Sequence, residues 1–113
     1  MTAAHALNHT SVTDAIRMRD EGAIFLDVRE QKEWNVVHIA NSTLAPLSNF
    51  TPGDIEDKRT VIVCRSGRRA VTAGERLLEQ GHTAELCVLE AGILAWEEEG
   101  APGLVRGPRY TDV

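Results

Sequence analysis

The sequence predicts an α/β domain with a mostly parallel sheet, because short apolar runs alternate with segments of helical periodicity. The runs at residues 23–28, 60–63 and 85–89 lack the polar alternation of a strand with one exposed face. Continuous runs of this kind are typical of strands buried on both faces, as in a parallel sheet. The 113 residues are enough for one compact domain with a modest core and too few for two.

The N-terminal half is expected to hold one helix, one buried strand and two shorter elements. Residues 1–9 are small or polar and are interpreted as a flexible lead-in to a domain over residues 10–103. Ser11 or Thr13 can cap the helix that Gly22 ends, because a hydroxyl oxygen accepts from the first helical N–H groups. The expected elements are a helix over residues 14–21, a strand over 23–28, a helical turn over 30–35 and a strand over 41–47 that closes at Pro46.

The C-terminal half repeats this alternation around its clearest predicted strand, residues 60–63, which consists of β-branched residues and is flanked by charged ones. A turn with Gly67 near its middle follows that strand and leads into a helix that Gly81 ends. Residues 104–113 are interpreted as a loose C-terminal extension. The expected elements are a loop over residues 49–58, strands over 60–63 and 85–89, and helices over 70–80 and 92–99.

Composition and charge exclude several classes of partner. The net charge is −5, from 12 basic and 17 acidic residues, and an acidic surface repels a phosphate backbone, so we expect no nucleic-acid partner. The apolar runs are far shorter than the roughly 18 residues of a membrane span, so we expect no membrane partner. Two cysteines and a start without a signal-like pattern indicate a reducing cytoplasm. The cysteines and the four histidines lack ligand spacing, so we expect no metal and no cofactor.

One of the two cysteines lies beside an unusual cluster of cations. Three of the ten arginines lie among the six residues from Cys64 to Arg69, between a predicted strand and a predicted helix. Loop N–H groups and the helix dipole favour an anion there, so Cys64 is predicted to be a reactive thiolate. Gly67 allows the loop to curl, and the same cradle would hold an anionic substrate. A cysteine that ends a buried strand is commonly a small core residue, but a core has no use for these arginines.

Four segments of the chain, taken in order, resemble the motifs of the rhodanese family. They are FLDVREQKEW at residues 25–34, VHIANS at residues 37–42, CRSGRR at residues 64–69, and LEAGILAW at residues 89–96, which is followed by GAP at residues 100–102. The family equivalents are a DVRE…E motif, a GHIpGA segment, the active-site loop and a closing glycine-rich motif. Four residues depart from that pattern, at turns or packing contacts: Val37, Asn41, Ser42 and Ala91. The resemblance implies a five-stranded, mostly parallel sheet with helices on both faces and a single-domain sulfurtransferase.

The length of the cysteine loop distinguishes two chemistries within that resemblance. Cysteine-dependent phosphatases use Cys-x5-Arg, which here would require arginine in place of Ala70. The last loop arginine is Arg69, and in the rhodanese superfamily this shorter Cys-x4-Arg loop accompanies sulfurtransferases. The expected reaction moves sulfur from thiosulfate, or a related persulfide donor, to a thiol or protein acceptor through a Cys64 persulfide. The alternative is a persulfide carrier that a partner protein loads, with little turnover of thiosulfate.

The loop side chains are expected to share the work around Cys64. The expected anion-binding loop consists of Arg65, Ser66, Gly67, Arg68 and Arg69. Arg65, beside the nucleophile, is expected to grip the sulfonate of the donor, with Arg69 second and Arg68 directed to solvent.

Residues outside the loop have weaker roles. Asp27 and Arg29 either order the loop by hydrogen bonds, as the resemblance implies, or form a surface ion pair. Glu33 can pair with one of the loop arginines. Four further side chains are interpreted as structural: Trp34, His38, Cys87 and Trp96.

Overall fold

A five-stranded parallel sheet forms the centre of the computed structural model, which describes residues 7–108. The strands are β1 (Leu7–Thr10), β2 (Ile24–Asp27), β3 (Val37–Ile39), β4 (Thr43–Leu44), β5 (Thr60–Val63), β6 (Leu86–Leu89) and β7 (Leu104–Arg106). The helices are α1 (Val12–Asp20), α2 (Gln31–Val36), α3 (Arg68–Glu79) and α4 (Gly92–Glu98). The strand order is β1-β6-β5-β2-β4, with every neighbouring pair parallel. The predicted α/β class with a five-stranded parallel sheet is therefore confirmed.

Helices cover the two faces of this sheet and give the domain two apolar clusters. On one face α1 and α4 pack against the sheet through Met18 and Trp96. The rings of Trp96 and Phe25 pack edge to face, with their centroids 5.7 Å apart. On the other face α3 packs through Ala73 and Leu77. Within residues 7–108 no helix has the length and apolar content needed to cross a bilayer.

Hydrogen bonds at the element ends decide where the helices begin. The Ser11 hydroxyl accepts from the Asp14 N–H at 3.1 Å, so α1 begins at Val12 with Ser11 rather than Thr13 as its cap. The helix expected over residues 70–80 begins two residues earlier, because Gly67 turns the chain into it. The strand expected over residues 41–47 is reduced to the two residues of β4.

The lead-in expected over residues 1–9 was wrong for residues 7–9, which belong to the edge strand β1. Leu7 pairs in parallel register with Leu86, and its side chain packs on the cluster beneath α3. The remaining part of that expectation lies outside the described residues. The interpretation failed because Asn8 and His9 are exposed, so the strand carries little hydrophobic signal.

The loose extension expected over residues 104–113 was wrong for residues 104–106, which form β7. This strand pairs with β3 in a small antiparallel sheet, with His38 opposite Val105. Main-chain bonds continue on both sides, from the Ala40 N–H to the Gly103 carbonyl at 2.7 Å and from the Gly107 N–H to the Val36 carbonyl at 2.8 Å. Neither strand was predicted, because three-residue strands that pair across the sequence have almost no local signature. Residues 109–113 lie outside the described part of the chain.

Candidate active site

Cys64 directly follows β5 and lies at the carboxyl end of the parallel sheet, where sites in open α/β sheets are found. Its side chain is only 1% exposed, and its Sγ accepts a hydrogen bond from the Gly67 N–H at 2.9 Å. Gly67 has a φ of 110°, a left-handed conformation that a residue with a Cβ adopts at a cost. Gly67 is also the N-cap of α3 and has no side chain to cap the first N–H groups. The loop therefore curls around the sulfur and directs the Gly67 N–H, at the start of α3, to an anion there.

The first turn of α4 holds the cysteine loop from the other side. The Ile93 N–H donates to the Cys64 carbonyl at 2.8 Å, and the Leu94 N–H donates to the Arg65 carbonyl at 3.3 Å. A Cβ on Gly92 would overlap both of those carbonyl groups. These contacts were not predicted. The only sequence signal for them is the glycine of the closing motif, which now has a physical reason: the loop backbone passes too close for a side chain.

Glu33 of α2 binds one arginine of the loop. The two Nη atoms of Arg69 donate to the two carboxylate oxygens of Glu33 at 2.7 and 2.9 Å, which confirms the predicted pairing with a loop arginine. The hydrogen bond from Arg69 lowers the pKa of Glu33 to about 2, and the Glu30 N–H and the Arg29 charge contribute. The same pair raises the pKa of Arg69, with a smaller contribution from Cys64. Glu33 thus fixes Arg69 through two of the five N–H donors of its guanidinium group.

The other two loop arginines are exposed. Among residues 7–108, neither Arg65 nor Arg68 has an ion-pair partner. Both guanidinium groups therefore keep their hydrogen-bond donors available, and both lie within four residues of Cys64 in the chain. They add two positive charges to the cysteine loop in a chain whose net charge is −5.

Asp27 and Arg29 form a buried ion pair, so the surface alternative was wrong. Their side chains are 1% and 4% exposed, and Arg29 Nη2 donates to Asp27 Oδ2 at 2.8 Å. Asp27 also accepts from the Arg29 backbone N–H, and Arg29 donates to the Val37 carbonyl at 2.7 Å. These hydrogen bonds support the start of β3. They do not reach residues 64–69, so the direct ordering of the loop that the resemblance implies is not seen in them.

The side chains interpreted as structural all make packing contacts. The Trp34 and His38 rings stack with their centroids 3.7 Å apart, and His38 Nδ1 lies 3.0 Å from the Trp34 carbonyl oxygen. Trp96 is buried in the core. Cys87 is buried in β6, and burial is the main cause that raises the pKa of its thiol to about 11. Cys87 is therefore a neutral core thiol at physiological pH.

Comparison with known proteins identifies the family. The family model of the rhodanese-like domain matches residues 11–99. This chain belongs to the rhodanese-like domain family. Among its relatives, the uncharacterised Synechocystis protein slr1261 is 36% identical over 90 residues, which are 76% of this chain and 50% of that protein. YtwF of Bacillus subtilis, provisionally named a sulfurtransferase, is 33% identical over 91 residues, 74% of this chain and 82% of that protein.

Coverage differs widely among the relatives of this rhodanese-like domain. The chain spans half of slr1261 and only 21% of MoeZ from Mycobacterium tuberculosis, whose provisional name pairs adenylyltransferase with sulfurtransferase. Among solved structures, a rhodanese-related protein from Thermoplasma volcanium superposes with a TM-score of 0.74 at 31% identity, covering 87% of this chain and 97% of that one. These names connect the family with sulfurtransferases.

Proposed function

We propose that this rhodanese-like domain is a sulfurtransferase that moves the outer sulfur of thiosulfate, or of a related persulfide donor, through a persulfide on Cys64. The observation that carries the proposal is the hydrogen bond from the Gly67 N–H to Cys64 Sγ at the start of α3. That arrangement favours an anionic sulfur, which is the form required both of the attacking thiolate and of the persulfide it becomes. The names of YtwF and MoeZ support the same chemistry.

The reaction proceeds in two displacements. The Cys64 thiolate attacks the outer sulfur of thiosulfate, the sulfur–sulfur bond of thiosulfate breaks, and sulfite leaves with the bonding electron pair. Cys64 then carries one additional sulfur as an anionic persulfide. In the second displacement a thiophilic acceptor attacks that outer sulfur, and the electron pair of the broken bond returns to Cys64 as thiolate. In neither displacement is a proton transferred to or from Cys64, because its sulfur attacks and leaves as the thiolate.

Arg65 is the residue that grips the sulfonate of the donor. The two Nη atoms of Arg69 are bound to Glu33, whereas Arg65 follows Cys64 directly and has no ion-pair partner within residues 7–108. A guanidinium group suits the sulfonate because its fork of donors matches two oxygens at once. Arg69 contributes its charge, and Arg68 adds to the positive field at the mouth of the loop.

A second candidate function is that of a persulfide carrier loaded by a partner protein. The observation that favours it is the match to MoeZ. The segment of MoeZ that matches this chain is about a fifth of a longer protein, whose name contains a second activity. A carrier of this kind would use the same Cys64 loop and would turn over free thiosulfate slowly.

The decisive experiment measures intact protein mass after incubation with thiosulfate and desalting. We expect a gain of one sulfur atom that cyanide removes. Cys64→Ser is expected to gain nothing, whereas Cys87→Ser, which alters only the buried second thiol, is expected to gain sulfur as the wild type does. Sulfur on the Cys64→Ser protein would contradict the assignment. If the wild type stays unmodified by thiosulfate but accepts sulfur from a persulfide-bearing protein, the carrier function replaces the enzyme.

A further inference from the structure

A chain of hydrogen bonds connects the segment after β4 with the cysteine loop. The Ser48 hydroxyl, in the 3₁₀ turn Leu47–Asn49, donates to Glu30 Oε1 at 2.6 Å, and the Ser48 N–H donates to Glu30 Oε2 at 3.4 Å. Glu30 is the N-cap of α2, and its N–H donates to Glu33 Oε1 at 2.9 Å. Glu33 in turn binds Arg69. Hydrogen bonds therefore join three separate segments of the chain.

The Glu30 residue lies close to the guanidinium group of Arg69. Glu33 Oε1 accepts from Arg69 Nη1 at 2.7 Å as well as from the Glu30 N–H, so both donors lie around one oxygen atom. The charge of Glu30 is one of the causes that raise the pKa of Arg69. Since a guanidinium group has five N–H donors, Arg69 can accommodate a second carboxylate beside that of Glu33.

In the structure the partner of the Glu30 carboxylate is Ser48 and not Arg69. Ser48 donates to both oxygens of that carboxylate. Of the other cations in this part of the chain, Arg29 is already held in its buried ion pair. Lys32 follows two residues along α2, a spacing that places it on a different side of the helix. A Glu30 carboxylate released from Ser48 would therefore turn to Arg69.

The charge of Arg69 also acts on Cys64. Arg69 is the second residue of α3, and the Gly67 cap of that helix donates its N–H to Cys64 Sγ at 2.9 Å. The charge of Cys64, like that of Glu30, contributes to the raised pKa of Arg69. Glu30 and Cys64 are thus two anions that interact with one cation. A Glu30 carboxylate that moved closer to this cation would weaken its effect at the sulfur.

We propose that Ser48 is a positioning residue of the site: it holds the Glu30 carboxylate away from Arg69, so that the charge of this arginine attracts an anion to Cys64. The inference rests on the proposed function in taking Cys64 as the nucleophile. Ser48 lies outside the four segments that resemble the rhodanese motifs, so the motifs assign it no role.

The test compares two reagents that alkylate a thiolate, iodoacetate and iodoacetamide. Iodoacetate is an anion and iodoacetamide is neutral, and in both reactions the Cys64 sulfur forms a bond to carbon while iodide leaves. The ratio of the two rate constants measures the attraction of an anion, because the accessibility and the nucleophilicity of the sulfur affect both rates alike. Intact mass follows the reaction, and Cys64→Ser shows how much of it belongs to Cys87.

Ser48→Ala is expected to lower the ratio of the iodoacetate rate to the iodoacetamide rate about threefold, the size of effect that an exposed charged contact supplies. Ser48→Thr keeps the hydroxyl group and is expected to retain the wild-type ratio. Asn49→Ala is the matched control, because Asn49 is the exposed neighbour of Ser48 in the same turn. It is expected to change neither rate.

A second substitution separates positioning from a general loss of structure. Ser48→Ala combined with Glu30→Gln is expected to recover at least the wild-type ratio, because the carboxylate that would turn to Arg69 is gone. If Ser48 only stabilised the fold, the second substitution would leave the ratio low or lower it further. In an Arg69→Gln background, Ser48→Ala is expected to have no additional effect on the ratio.

Three results overturn the inference. They are a wild-type ratio for Ser48→Ala, a ratio that stays low when Glu30→Gln is added, and an equal fall for Asn49→Ala. Alkylation does not depend on sulfur transfer, so each of these results leaves the proposed function standing. A wild type that gains no sulfur from thiosulfate overturns the proposed function, while the alkylation ratio still decides the role of Ser48. Resistance of Cys64 to both reagents would overturn its reactivity, and both proposals with it.

Discussion

At the scale of single residues, Glu33 forms an ion pair with one of the three loop arginines. It binds both Nη atoms of Arg69, whereas Arg65 and Arg68 are exposed. The sequence could suggest this pairing, since an acidic residue in one matched motif and a basic residue in another have opposite charge. It could not say which of three arginines would be the partner. That choice depends on how α2 packs against the start of α3.

Glu33→Gln is expected to lower the free energy of unfolding by about 1–2 kcal/mol at neutral pH, between the values for exposed and buried pairs. The pKa of Glu33 falls from 4.5 to about 2 on folding, so its ionised form stabilises the native state above pH 4.5. That contribution is lost as pH falls from 4.5 to about 2, and the two proteins should converge there. Urea unfolding over this pH range measures the difference. Glu98→Gln, an exposed carboxylate on α4, controls for the removal of a charge.

Asn41 and Ala91 show what residue types alone leave open. Both occupy positions where the resembled family commonly has glycine, and both keep a left-handed backbone, with φ of 65° and 57°. Asparagine enters this region at low cost, whereas alanine costs about 1–2 kcal/mol. The Ala95 N–H donates to the Ala91 carbonyl at 3.3 Å, and the first turn of α4 is bonded to the cysteine loop, so tertiary contacts hold Ala91 in place. A sequence shows the departure from glycine but not the contacts that compensate for it.

At the scale of elements, the signal that each segment carries explains which were predicted and which were missed. β5 has the predicted bounds because all four of its residues are apolar or β-branched and buried. β3 and β7 were missed because each is three residues long and is stabilised by a partner more than 60 positions away. The support of the cysteine loop by α4 was also missed. It depends on backbone hydrogen bonds, which have no side-chain signature.

Gly92→Ala is expected to disturb the cysteine loop, because the new Cβ would overlap the Cys64 and Arg65 carbonyl groups. Gly100→Ala is the matched control: Gly100 has a similar φ of 65°, but a Cβ there meets nothing within 4 Å. The strain of the left-handed backbone is common to both variants. The overlap alone should therefore lower the free energy of unfolding of Gly92→Ala by about 1–3 kcal/mol more than that of Gly100→Ala. Denaturant unfolding measures this difference, and Gly92→Ala should also load sulfur from thiosulfate more slowly. Equal effects of the two substitutions would mean that the loop yields freely.

At the scale of the whole molecule, the edge strand β1 is connected to the site through main-chain contacts. Thr10, its last residue, accepts from the Glu90 N–H at 3.0 Å, and Glu90 leads directly into the turn before α4. The first turn of α4 in turn binds the carbonyls of the cysteine loop. A strand interpreted from its sequence as a flexible lead-in is thus part of the frame that positions Cys64.

A chain that begins at Ser11 is therefore expected to lose both stability and activity. β6 would lose one of its two parallel partners, and the packing of Leu7 on the cluster beneath α3 would be lost. Burial of a leucine side chain is worth about 1.5–3 kcal/mol, so the free energy of unfolding should fall by at least about 1 kcal/mol for the half-buried Leu7. Urea unfolding can be followed by the fluorescence of the buried Trp96, and sulfur loading by mass.

Two point variants of the full chain separate packing from chain length. Leu7→Ala should reproduce part of the stability loss, whereas Asn8→Ala, an exposed neighbour in the same strand, should change stability by less than about 0.5 kcal/mol. If the shortened chain unfolds at the wild-type urea concentration and loads sulfur at the wild-type rate, β1 contributes nothing to the frame. If it loses stability but loads sulfur normally, the connection through Glu90 is structural and does not reach Cys64. Loss of both is the result that the path from β1 through α4 to the loop requires.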